Sequence, residues 1–114
     1  MTVNNLSFGS ITIDGVYYEK DVIIEGGYVQ KRKKKKSKKY SERFGHTPVS
    51  PDENIPWNCK NLILGTGHSS CLPVMDEVFD LAKDKGIRLV TMSTPEAIKH
   101  INDNDTNLIL HLTC

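Results

Sequence analysis

"NLILGTGHSSCLPVMDEV", residues 61–78, decides the fold, because it reads as a buried strand, a glycine turn and a helix in one stretch. Leu62-Ile63-Leu64 has no polar alternation, as expected of a central strand covered on both faces. Gly65 and Gly67 mark the turn. A helix is predicted from about Pro73 to Lys85, with Met75, Val78, Phe79 and Ala82 on one apolar face. Gly86 stops it, with Lys83 and Lys85 placed favourably in its last turn. Ile87 to Met92 reads as the next strand. Thr94-Pro95-Glu96 follows as N-cap, first helical residue and first-turn acid, with Ala97, Ile98 and Ile101 turned inward. After the turn NDNDTN, Leu108 to Leu112 is a last strand. The order is βαβαβ, and helical crossovers imply parallel, right-handed pairing in one sheet.

Working back towards the N-terminus, the first third predicts β-hairpins. SITIDGVYY alternates Ile11 and Ile13 with polar residues and reaches Asp14-Gly15, a pair suited to a two-residue turn. DVIIEGGYVQK repeats the pattern around Gly26-Gly27. The basic run after Tyr28 is expected to continue that strand outward, where lysines discourage edge pairing. Pro48, Pro51 and Pro56 make residues 40–58 an irregular loop, with Trp57 anchoring its end. The expectation is an α/β fold in a single domain, residues 1–114. It has a central mixed sheet, N-terminal β-hairpins (1–39), an irregular loop (40–58) and a βαβαβ second half (59–114), with helices on the sheet faces.

A chain of 114 residues, 38% hydrophobic and 25% charged, is sized for one ordinary globular core. No apolar run approaches the roughly 20 residues that span a bilayer, so no membrane association is expected. MTVNNLSFGS has neither the basic start nor the apolar stretch of a signal peptide, and a cytoplasmic setting is expected. Cys59, Cys71 and Cys114 form no CxxC pair and are expected to be reduced thiols. A zinc site would have to gather distant ligands such as His68, His111 and Cys114, so no metal and no cofactor are expected.

Strand-to-helix corners present unpaired amides and a partial positive charge, and can hold an anion. Gly65, Thr66, Gly67, His68, Ser69 and Ser70 are therefore candidate ligand-binding residues, with Arg43 and His46 from the preceding loop. GxGxxS lacks the third glycine and the later acid of a dinucleotide fingerprint, and no GK[ST] follows to make a P-loop. The plainer alternative is a tight turn with one serine capping the helix. Cys71, near the helix start, is a weak candidate nucleophile with His68 as its base. His111 is expected where the last strand emerges, and His100 on an exposed helix face.

Residues 31–39, KRKKKKSKK, hold eight of the fifteen Lys and Arg residues, which leaves seven bases against fourteen acids elsewhere. Such a run can contact phosphates. No helix-turn-helix, RRM or finger pattern accompanies it, which argues against nucleic acid. A solvated edge is the plain reading. Docking to an acidic protein, or self-association, through Lys33, Lys34, Lys35 and Lys36 is the functional one.

FGSITIDGVYYEKDVII, KY…RFGHT, LILGTG, TPEAIK and the terminal HLTC, taken in order, resemble a small family of unknown function with a Mth938-like domain. It includes the vertebrate adipogenesis-associated protein and a mitochondrial complex I assembly factor. The resemblance implies an α/β fold with an added β-hairpin layer and a small, self-associating protein. It carries over no catalytic residue. The expected role is non-enzymatic binding or assembly. The alternatives are a small-anion binder at Gly65–Ser70 and a thiol enzyme using Cys71.

Overall fold

A computed structural model describes all residues, 1–114. The alternating N-terminal residues pair locally. β1 (Val3–Ser7), β2 (Ser10–Ile13) and β3 (Val16–Tyr18) form an antiparallel three-stranded sheet in that order, with the predicted turn at Asp14-Gly15. β1 was not legible beforehand, because VNNLS has no apolar alternation and is recruited by β2.

β4 (Val22–Glu25) and β5 (Tyr28–Lys31) make the second hairpin. Instead of staying with the first, this hairpin joins the second half of the chain. β6 (Asn61–Gly65), β7 (Arg88–Met92) and β8 (Thr106–Leu110) complete a mixed five-stranded sheet in the order β5-β4-β8-β6-β7. β6 pairs in parallel with both β7 and β8, while β4 is antiparallel to β8 with Val22 opposite Leu110. The crossovers supply α2 (Asp76–Asp84) and the short α3 (Thr94–Ala97); α1 (Ser41–Phe44) is one turn in the irregular loop.

Both faces of the large sheet are covered, which is why β4, β6 and β8 read as continuous apolar runs. On one face Ile63, Leu108 and Leu110 pack with Ile11 and Ile13 of the small sheet and Ala97 of α3. On the other, Leu62, Leu64 and Ile109 pack with Met75, Val78 and the loop residues Val49 and Ile55. No helix is long and apolar enough to cross a membrane.

Four local expectations are corrected. α2 starts at Asp76, not Pro73, because residues 73–75 are extended. The Val49 amide donates to Pro73 and the Met75 amide to Val49. Phe79 is 40% exposed and stands outside the core face. Ser93, not Thr94, occupies the cap position of α3, because the buried Thr94 side chain is used elsewhere. Finally, the basic run does not prolong β5. That strand ends at Lys31, and Lys35–Tyr40 forms a 3-10 helix.

Candidate functional site

Gly65 ends β6 under α3, where an added Cβ would lie 3.0 Å from Thr94 Oγ1 and 3.1 Å from Ala97. Gly67 has φ +104°, and a Cβ there would fall 2.2 Å from the Cys114 carbonyl carbon. The last two residues thus lie directly on the corner. Their oxygens take its amides: His68 N–H donates to Thr113 O (2.8 Å), and Ser69 and Cys71 both donate to Cys114 O (2.9 and 3.0 Å). Gly67 N–H donates to Thr94 Oγ1 at 2.9 Å, Thr66 to Met92, Ser70 to Gly67 and Leu72 to Thr66. Every amide from Thr66 to Leu72 has a partner within the chain. Nor do these amides belong to a helix N-terminus, since α2 begins six residues after Ser70.

Thr66 and Ser70 border a shallow groove of about 280 Å³, shared with Phe79, Thr91 and Met92. His46 and Cys71 do not line it. His68 packs against Phe8 with ring centroids 5.7 Å apart, and its Nε2 is buried without a hydrogen-bond partner. Cys71 is exposed, and its Sγ reaches only Ser69 O at 3.5 Å. No hydrogen bond joins Cys71 to His68, or joins Arg43 and His46 to the corner. Arg43 lies over the Phe44 ring (5.2 Å), and His46 is exposed in its loop.

What the sequence reading missed is a buried polar network. Arg32 is the only arginine in the lysine run, and its side chain is 1% exposed. Its guanidinium donates to Glu53 through Nε (2.8 Å) and Nη2 (3.1 Å), to Asp21 through Nη1 (3.0 Å) and to Pro48 O. This forked geometry is one a lysine cannot supply. Ser37, fully buried, donates to the same Glu53 and shares a hydrogen bond with Ser50.

Asp21 extends the network to the last strand. It accepts from His111 Nδ1 at 2.8 Å and from the Leu112 amide at 3.0 Å. Burial alone would raise the Asp21 carboxyl, but the His111 hydrogen bond and charge, the Leu112 amide and Arg32 together hold it below its ordinary value. An ionised Asp21 holds a proton on His111 Nδ1, and on the other side of the ring Nε2 and Thr113 Oγ1 share a hydrogen bond of 3.1 Å. Carboxylate, imidazole and hydroxyl stand here in the order of a hydrolytic triad. The Thr113 carbonyl accepts from the His68 amide, so the group ties residues 111–113 to the glycine corner.

Above this network the run is displayed as a cationic turn. Arg32 and Ser37, the two residues that interrupt its lysines, are the two that are buried. Lys33, Lys34, Lys35, Lys36, Lys38 and Lys39 are all exposed. Its end is fastened by Asp52, which pairs with Lys39 at 3.0 Å and accepts from Tyr40 at 2.7 Å.

This arrangement defines a small α/β protein of the Mth938-like kind. It is similar over its whole length to the conserved hypothetical protein PH1505 from Pyrococcus horikoshii OT3, with 24% identity, all of both chains covered and a TM-score of 0.84. It is also similar to MT938, with 22% identity, 98% and 97% of the two chains covered and a TM-score of 0.69. A Mth938-like domain from Bordetella pertussis, solved by solution NMR, matches at 18% identity over 97% and 85% of the two chains, with a TM-score of 0.61. No curated protein matches the chain. The chain belongs to the family described as protein of unknown function (DUF498/DUF598), whose model matches residues 3–103.

Proposed function

We propose that this is a non-enzymatic binding or assembly-type protein that docks onto an acidic protein surface through its lysine turn. The observation that carries this reading is the anchoring. Arg32 and Ser37 reach down to Glu53, so the intervening lysines start from an ordered backbone instead of a solvated tail. A fixed backbone lowers the ordering entropy lost on association, and clustered like charges steer an oppositely charged partner. The body carries the acids, which disfavours nucleic acid as the partner. Three free thiols accord with a cytoplasmic setting.

The two other readings have less support. A small anion at Gly65–Ser70 finds no free amide while Thr113 and Cys114 are in place, and Cys71 has no base beside it.

The test is quantitative binding to an acidic partner recovered on the immobilised protein. Affinity is expected to fall with added salt, to be lost when Lys33, Lys34, Lys35 and Lys36 are changed together to Gln, and to weaken in Ser37→Ala, which keeps every lysine. Substrate turnover by the isolated protein, or binding indifferent to the four glutamines, overturns the reading.

A further inference from the structure

The two edges of the large sheet are unlike. β5 carries one charge, Lys31, beside an exposed Tyr28, and runs directly into the lysine turn, whose exposed cations guard that rim. β7, the other edge, is Arg88-Leu-Val-Thr-Met92, with one charge at its first residue, no proline and an unbroken register along β6. Arg88 N–H donates to Lys60 O, and Met92 O accepts from Thr66 N. Residues 88, 90 and 92 therefore turn their main chain towards β6, and Leu89 and Thr91 turn N–H and C=O to the open side.

Beside that edge, α2 presents a stripe of Asp76, Phe79 and Lys83 at i, i+3 and i+7. Phe79 is the apolar centre of the stripe, exposed, and adjoins Thr91 and Met92 in the groove described above. An acid at one end, a base at the other and an aromatic ring between them match their own two-fold image.

From these two features together we infer that the β7 edge and the α2 stripe form the interface of a two-fold homodimer. A rotation axis through Val90 sets β7 antiparallel to its mate, with Leu89 opposite Thr91 of the second copy and about four new main-chain hydrogen bonds. The same rotation brings Phe79 to Phe79 and Asp76 towards Lys83 of the second copy. The product is one continuous sheet in which the remaining edges are the β5 strands, each beside its lysine turn. Because the contact is isologous it closes, and growth stops at two. The lysine turns, at the far edges, stay free, so this inference does not rest on the proposed docking role.

Sedimentation equilibrium of the full chain from low to high micromolar concentration is the test. The wild type is expected to show a monomer–dimer equilibrium, and Thr91→Pro to be a folded monomer, since it removes only an outward N–H. Asp76→Lys and Lys83→Asp are each expected to weaken the dimer by roughly tenfold through two repelling pairs. An equal mixture of these two proteins recovers the wild-type affinity, because each then meets its complement. A wild type that is monomeric throughout overturns the inference. So does a dimer indifferent to the charge exchanges, an outcome that pairing with a foreign strand or open-ended association would give. Should Thr91→Pro fail to fold, the mixing experiment decides alone.

Discussion

The glycine corner (65–72) and the lysine turn (31–40) are both short, polar and irregular, yet their relation to solvent is opposite. The corner is rich in main-chain donors of the kind that hold anions, and all of them are used internally, by Thr94, Thr113, Cys114 and nearby carbonyls. The turn reads as a solvated run, and it is seated on a buried Arg32–Glu53–Ser37 cluster. The difference follows from what each group costs to bury. A buried amide must find an acceptor, so a corner at the sheet's end takes the carbonyls of the segment that follows β8. An ammonium is costly to bury unpaired, so lysines stay outside even when their backbone is held.

This contrast breaks most sharply at the anchor. Arg32→Ala leaves the Glu53 carboxylate buried without its partner and is expected to cost about 3–5 kcal/mol in urea unfolding. A loss below about 1 kcal/mol would mean that the turn is not held from beneath. At the corner, Gly67→Val adds a Cβ where the Cys114 carbonyl lies and a side chain at positive φ, and is expected to cost about 3 kcal/mol. Faster amide exchange at His68 and Ser69 would show that the chain end had lifted.

Acid tests the link between the two regions, since Asp21 joins Arg32 to His111. Its carboxyl is held below the unfolded value of 3.8. The stabilisation is therefore complete above about pH 4 and is lost as pH falls through the folded pKa. The stability gap between wild type and Asp21→Asn is expected to hold above about pH 4 and to narrow as the pH is lowered further in denaturant titrations. A gap constant across that range would remove Asp21 ionisation from the network. The smallest effect belongs to the lysines themselves. Changing Lys33–Lys36 to Gln is expected to move stability by less than about 0.5 kcal/mol, while partner binding disappears.

Much of the fold was open to reading because its signals are local. An unbroken apolar run marked β6 as covered on both faces, Asp14-Gly15 marked a hairpin, and Gly86 marked the end of α2. The site was less legible. A hint lay in the run itself, since Arg and Ser are the only departures from Lys over residues 31–39. Their partners Asp21, Glu53 and His111 lie up to 90 positions away from one another, and no spacing rule spans that distance.

By itself the amino-acid sequence determined the elements of the βαβαβ half, the two N-terminal hairpins, the α/β plan and the exposure of the lysines, because periodicity, turn chemistry and charge act over a few residues. Tertiary structure alone decided that the second hairpin joins β8 and that residues 73–75 stay extended on Val49. It also decided that Thr113 and Cys114 fill the corner, and that Arg32 turns inward. Each of these is a pairing between distant segments, and the gain from burying and satisfying both partners exists only once the chain has brought them together.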